Sequence, residues 1–136
     1  MLRDTELFLS LLLSLFYFVS CDDDMGEIKS VAYNYCIATS QYDFERAKHY
    51  CTDETKKTTL LIANDVMSML DTGYIAKDTP ASIEIISTNI LSDSSALVVY
   101  HKTTPIKDFT DTLELRKRDG NWLAHSPIVK NNTTVQ

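Results

Sequence analysis

The sequence predicts an α+β fold in which N-terminal helices pack in the concave face of a curved four-stranded antiparallel sheet. Two observations lead to this prediction. Apolar residues recur at helical spacing between residues 25 and 73, whereas the chain after Pro80 is rich in β-branched and aromatic residues that form four short runs. At 136 residues, the chain is long enough for one hydrophobic core and too short for two domains.

Three helices are expected before Pro80. The first places apolar side chains at i, i+3, i+4, i+7 and i+8, which are Ile28, Val31, Ala32, Tyr35 and Cys36. Asp43 is the expected N-cap of a short second helix and Thr52 that of a third. The buried stripe of the third helix would be Leu60, Ala63, Met67 and Leu70, and Gly73 is the expected residue after its C-terminus.

Four strands follow, predicted at Ser82–Leu91, Ser95–Thr104, Phe109–Arg118 and Asn121–Ser126. In the first strand the apolar alternation changes phase between Ile85 and Ile86, which predicts a β-bulge or strong curvature. Asp119-Gly120 is typical of a type I′ hairpin turn, because both central residues of that turn need positive φ.

The N-terminus has the pattern of an export signal. Leu7–Val19 is an uncharged apolar run of 13 residues, shorter than the roughly 20 residues that cross a bilayer. It is apolar on all sides and ends at Ser20, a small residue. Phe18-Val19-Ser20-Cys21 resembles a lipobox, although Leu, Val or Ile is usual where Phe18 stands. We therefore predict a lipoprotein signal peptide at residues 1–20, cleavage between Ser20 and Cys21, and lipidation of Cys21. An ordinary signal peptide cut elsewhere and an uncleaved anchor are the alternatives.

The predicted cleavage site before Cys21 also sets the boundaries of the remaining segments. Residues 21–24 would form the lipidated cysteine with an acidic tether, residues 25–129 the α+β domain, and residues 130–136 a flexible tail. Asp22-Asp23-Asp24 resembles a signal for export to the outer cell surface, while an inner-membrane retention mark is the alternative. We expect a lipid-anchored envelope protein of the outer membrane, exposed at the cell surface.

Two segments resemble a known family. The two segments are Tyr42-Asp43-Phe44-Glu45-Arg46-Ala47 and Leu113-Glu114-Leu115-Arg116-Lys117-Arg118-Asp119-Gly120-Asn121-Trp122. They are similar to segments of small Gram-negative lipoproteins of unknown function that contain a nuclear transport factor 2-like domain. The same cone-shaped fold occurs in polyketide cyclases and limonene hydrolases. The resemblance covers about Met25 to Val129 and implies a sheet wrapped around the first helix, with a conical pocket open at one end. Tyr35, Tyr100, His101 and Trp122 are the candidates to line that pocket.

The sequence carries no catalytic signature. His101, His125, Tyr100 and Glu114 are the strand residues that could serve in acid–base chemistry, but the pattern of residues does not bring them together. The three histidines lack the spacing of metal ligands, and no Cys-x-x-Cys pair or glycine-rich phosphate loop is present. We therefore expect no catalytic residue, no metal and no cofactor.

Cys36 and Cys51 remain as an even pair once Cys21 is lipidated. In an oxidising compartment they could form a disulfide between neighbouring helices, which would stabilise the fold by about 3 kcal/mol in the chain-entropy model. The alternative is two buried free thiols that pack as small apolar side chains.

Charge limits the choice of partners. A net charge of −6 disfavours nucleic acid, and the short basic cluster Arg116-Lys117-Arg118 at a predicted hairpin tip is typical of a solvated turn. The expected partners are the membrane, through the lipid, and an unknown protein or small apolar ligand; a homodimer through the sheet is also expected. The leading hypothesis is a non-catalytic binding domain. The alternatives are a small envelope enzyme with a His/Asp-type pocket and an immunity or assembly factor.

Overall fold

A computed structural model describes residues 23–128 of the protein. The predicted signal peptide, Cys21 and the predicted tail at residues 130–136 lie outside these described residues. The first helix, α1, covers residues 23–40. Because residues 23 and 24 are already helical, half of the predicted tether belongs to the fold.

The other helical elements form a chain of short segments: α2 (Phe44–Ala47), a 3₁₀ turn (Lys48–Tyr50), α3 (Asp53–Thr55), a π-helical segment (Lys56–Leu60), α4 (Leu61–Met69) and α5 (Thr72–Lys77). The predicted N-caps are confirmed, since the side chains of Asp43 and Thr52 accept hydrogen bonds from Arg46 N and Thr55 N. The π-helical segment was not predicted. It separates α3 from α4, and no residue of α4 is buried.

The prediction that Gly73 ends the third helix is wrong. α4 ends at Met69, where Leu70 becomes extended with ψ 144°. Gly73 instead lies in the first turn of α5, because the Asp71 side chain accepts a hydrogen bond from Gly73 N at 3.1 Å and so begins a new helix.

The four predicted strands are present as an antiparallel meander, with β1 at Ser82–Ser92, β2 at Ser95–Thr103, β3 at Asp108–Arg118 and β4 at Asn121–Ala124. The bulge predicted in β1 is confirmed, since the register with β2 shifts between Ile85 and Ser87. The β3–β4 turn is also confirmed: Asp119 and Gly120 both have positive φ, 52° and 80°.

The core lies between α1 and the concave face of the sheet. Ile28, Ala32 and Cys36 of α1 are buried against inward-facing strand residues such as Val98 and Leu115. The N-terminal end of α1 lies beside the β3–β4 hairpin, where Asp24 and Glu27 bind Trp122. The predicted fold class, helices in the concave face of a curved four-stranded sheet, is therefore confirmed.

The two edges of the sheet differ. β4 has four residues, and the chain covers its free side: Thr52 N donates to the Ala124 carbonyl at 2.9 Å, next to a parallel bridge between Cys51 and Ala124. β1 has 11 residues, and within residues 23–128 it pairs with β2 only. Among the described residues, no helix is long and apolar enough to cross a membrane.

Candidate functional site

The interior of the cone is formed by Tyr35 and Cys36 of α1 together with Tyr100 of β2. Tyr35 and Cys36 are buried, and Tyr100 packs against them half-buried, with its hydroxyl interacting with the Cys36 thiol. Thr88 of β1 also faces inward, opposite Val98; its hydroxyl is buried and has no hydrogen-bond partner within residues 23–128. The cone is thus packed by side chains, with a few neutral polar groups among them.

These interior groups are uncharged near neutral pH. Burial raises the pKa of Cys36 to about 12 and that of Cys51 to about 11, and it raises the pKa of Tyr35 and of Tyr100 as well. A protonated thiol is a poor nucleophile and a protonated phenol is a poor base. The concave face therefore offers hydrogen-bond donors and apolar contacts, and none of these four groups is prepared for acid–base chemistry.

His101 lies on the opposite, outer face of the sheet. Its Nε2 is 2.7 Å from Asp108 Oδ1, and its Nδ1 is 3.0 Å from Thr110 Oγ1. The Asp108 side chain is 70% exposed and that of His101 is 32% exposed, so this contact is on the surface. A histidine and a carboxylate do converge, but outside the cone.

His125 is buried at the end of β4, where it holds that strand to α3. Its Nδ1 is 2.9 Å from Thr52 Oγ1, which in turn is 2.9 Å from Thr55 Oγ1. Burial, with a smaller contribution from Arg116, lowers the pKa of His125. This histidine is accounted for by packing and hydrogen bonding.

Trp122, the fourth residue predicted to line the pocket, lies at the β3–β4 hairpin, beside the N-terminal end of α1. It is 1% exposed, its Nε1 donates to Asp24 Oδ1 at 3.2 Å, and its backbone N donates to Glu27 Oε1 at 3.1 Å. Beside it, an open cleft of about 910 Å³ separates the β3–β4 hairpin from the segment that contains α3. Charged residues of both signs line this cleft: Glu27, Lys48, Asp53, Glu54, Lys56, Lys57, Arg118 and Asp119.

The structure therefore brings together only two of the four residues predicted to line one pocket. Tyr35 and Tyr100 meet inside the cone, His101 lies on the other face of the sheet, and Trp122 lies at the hairpin end. Alternation along β2 could not show this from the sequence, because both faces of that strand carry apolar side chains.

A buried polar cluster that the sequence did not predict surrounds Asp78, just before β1. Its carboxylate is fully buried and accepts hydrogen bonds from Tyr42 Oη (2.6 Å), Thr104 Oγ1 (2.6 Å) and Lys107 Nζ (2.8 Å). Burial alone would raise the pKa of Asp78, but these three donors lower it to about 2. Every partner is more than 25 residues away in sequence, so no local signal pointed to this cluster.

Cys36 and Cys51 are free, buried thiols, the second of the two predicted alternatives. Both lie near Tyr35, but their other neighbours differ. Cys36 faces Tyr100 on β2, whereas Cys51 pairs with Ala124 beyond the far edge of β4.

The basic cluster of the β3–β4 hairpin is neutralised by acidic neighbours. Arg116 pairs with Glu114, Lys117 with Asp24 and Arg118 with Glu54, at distances of 3.1, 3.3 and 3.4 Å. Within residues 23–128, no three His, Cys, Asp or Glu side chains are arranged to hold a metal ion.

The fold has counterparts among solved structures. A protein of unknown function from Shewanella oneidensis, described as NTF-2 like, superposes with a TM-score of 0.54, covering 77% of this chain and 99% of that chain at 15% identity. The domain therefore has the nuclear transport factor 2-like fold expected from the sequence. A protein from Campylobacter jejuni with a provisional assignment as an NTF2-like transpeptidase has a TM-score of 0.49, covering 72% of this chain and 96% of that chain at 17% identity. No family model and no curated protein matches the chain by sequence.

Proposed function

We propose that this protein is an envelope lipoprotein, anchored through Cys21, whose domain binds another protein or a small apolar ligand without catalysing a reaction. One observation carries the proposal: the side chains that could perform acid–base chemistry do not converge inside the cone. His101 is on the outer face, His125 is held by Thr52, and Tyr100 is packed inside the cone. A general base must lie within hydrogen-bonding reach of the proton it removes, and near its partners.

Two features support a binding role. An open cleft lies beside Trp122, and in the described part of the chain β1 leaves a long edge of the sheet unpaired. The outer face of the sheet, with half-buried Leu97 and Val99, is where the expected homodimer would form, and this homodimer remains a prediction.

The anchor fits the geometry of α1. Only residue 22 lies between Cys21 and the first described helical residue, so the lipid would hold the α1 end of the domain within about 7 Å of backbone reach. The two or three acyl chains of a mature lipoprotein bind a membrane stably, whereas one chain binds marginally. We place the protein in the outer membrane, exposed at the cell surface.

Metabolic labelling with palmitate tests the anchor. We expect label in the wild-type protein and in the control Cys36→Ala, and no label in Cys21→Ala, which should also leave the membrane fraction. Label that persists in Cys21→Ala would refute the anchor. A panel of hydrolase and isomerase substrates tests the absence of catalysis, and turnover by the purified wild-type protein would refute it.

A second candidate function is favoured by the chain of contacts from Asp108 through His101 to Thr110. A carboxylate, a histidine and a hydroxyl in hydrogen-bonded sequence are the parts of a nucleophilic site. Any turnover found should then disappear in His101→Ala and persist in His125→Asn, which lies away from this chain. Turnover that survives His101→Ala would exclude this site.

A further inference from the structure

We infer that the free edge of β1 binds an extended strand of another protein, which adds a fifth strand to the sheet. This inference rests on the proposed function, because it names the surface and the class of partner of the binding domain. An unpaired edge strand presents a row of backbone N–H and C=O groups, and strand addition to such an edge is a recurring mode of peptide recognition.

Apart from its bulges, the free edge of β1 has little of the protection that edge strands usually have. Eight of its 11 residues are exposed, and Glu84 is its only charged residue. It contains no proline and no lysine, the residues that commonly block edge pairing. Three large apolar side chains of β1 are exposed to solvent: Ile86 by 53%, Ile90 by 40% and Leu91 by 55%. This is an unusually large exposed apolar surface for an edge strand.

Nothing in the described part of the chain covers this edge. The backbone hydrogen bonds that connect loops and elements outside the sheet ladder do not involve residues 82–92. β1 has two register irregularities, between Ile85 and Ser87 and between Ile90 and Ser92, and the stretch Ser87–Ile90 between them pairs regularly with β2. This regular stretch is where an added strand would find evenly spaced partners.

The two ends of the described chain lie away from this edge. The described chain ends near Ile128, whose N donates to Thr58 Oγ1 at 3.1 Å, on the side of β4. Three strands lie between that side and the free edge of β1, because the sheet order is β1-β2-β3-β4. The other end of the chain enters α1, beside the β3–β4 hairpin.

A second copy fits less well than another protein. Two-fold pairing of β1 with its own copy is antiparallel, so the α1 ends of the two copies would lie at opposite ends of the joined sheet, separated by about 36 Å along an 11-residue strand. Both copies carry their anchor at that end. A strand from another protein has no such constraint, and a basic residue opposite Glu84 would complement the only charge of the edge.

Photo-crosslinking in the producing bacterium tests the inference with the full chain. A benzophenone amino acid replaces Ser87 or Asn89 in turn, two exposed positions at two-residue spacing within the regular stretch. We expect each to crosslink to one segment of another protein, with the crosslinked position in that segment moving by two residues per step. Asp65, exposed on α4 and away from the sheet, is the control and should give background only.

A pair of matched variants tests which surface is responsible. Ile86→Lys should lower the crosslinking yield from Asn89 at least about fivefold, because a lysine blocks strand pairing. Ile106→Lys, at a residue 50% exposed in the β2–β3 loop, should leave the yield unchanged.

Several results would overturn the inference: no crosslinked protein other than a second copy, crosslinks to residues 129–136 of the same chain, or partner positions that do not move by two. Palmitate labelling of Cys21 does not depend on β1. If the label is present and the crosslinks are absent, only the strand-addition inference fails. If the crosslinks are present and the label is absent, the anchor fails and strand addition stands.

Discussion

The two edges of this sheet are built in opposite ways. β4 is short, its central tryptophan is buried, and the segment before α3 binds along its free side. β1 is nearly three times as long, mostly exposed, and free on one side among the described residues. This chain closes the β4 edge with its own backbone, so the fold does not prevent an edge from being closed. The open edge at β1 is therefore a specific feature of this protein, and it needs an explanation.

The largest effect is expected where the closed edge meets α1. Trp122→Ala removes a buried ring together with its hydrogen bond to Asp24, and we expect it to lower the free energy of unfolding by about 3–5 kcal/mol. Trp122→Phe should cost less, because it keeps most of the packing. Urea denaturation of the chain from residue 22 onwards, followed by circular dichroism, measures both. Equal losses in the two variants would mean that the hydrogen bond matters more than the packing.

Asp78 tests how the open edge is attached, since its carboxylate holds the residues just before β1 to the β2–β3 loop. We expect Asp78→Asn to lower the free energy of unfolding by about 2 kcal/mol near neutral pH. The control Asp111→Asn, at an exposed position of β3, should change it by less than about 0.5 kcal/mol.

The same carboxylate predicts an acid dependence of stability. Its pKa is lowered from 3.8 to about 2 in the folded state, so its contribution is present above about pH 4 and is lost as the pH falls towards 2. Asp78→Asn should flatten this part of the stability curve. An unchanged curve in the variant would assign the acid loss to other carboxylates.

His125 should make the closed edge sensitive to mild acid. Its pKa is lowered from 6.5, so the unfolded chain takes up a proton first and stability decreases as the pH falls below about 6.5. One such group contributes a slope of at most about 1.4 kcal/mol per pH unit. Titration of the denaturation midpoint between pH 5 and 7 should show the slope in the wild type and its loss in His125→Asn. A slope that persists in the variant would contradict the assignment.

The smallest effect is expected at the open edge itself. Ile86→Ala should change the free energy of unfolding by less than about 0.5 kcal/mol, because the side chain is half in solvent. Ile83→Ala, on the same strand but buried, should cost about 2 kcal/mol or more. If Ile86→Ala were as costly as Ile83→Ala, Ile86 would already be buried against something within this chain.

Local signals made most of the fold predictable. The Asp119-Gly120 turn, the change of phase at Ile85 and the two N-caps are all read from neighbouring residues, and all are present. Gly73 misled the prediction because a glycine near a helix end resembles a terminator, while Asp71 two residues earlier was the stronger signal, a helix N-cap.

The candidate site was less predictable, because it depends on contacts between distant residues. Tyr35 and Tyr100 meet across 65 positions, and the partners of Asp78 come from two separate segments, one at Tyr42 and one in the β2–β3 loop. β2 carries apolar side chains on both faces, so the alternation did not reveal the face of His101. The lipid anchor and the partner remain predictions.

The contact between Asp24 and Trp122 also determines how the molecule carries mechanical load. Tension on the chain ahead of residue 23 reaches the β3–β4 hairpin through side chains of the first helical turn, because Asp24 and Glu27 are bonded to Trp122. A slack linker would absorb such a pull and let the domain swivel. Here the pull passes into the closed side of the sheet. The domain should therefore keep a fixed orientation relative to its proposed anchor, and its open edge should keep the same orientation to approaching partners.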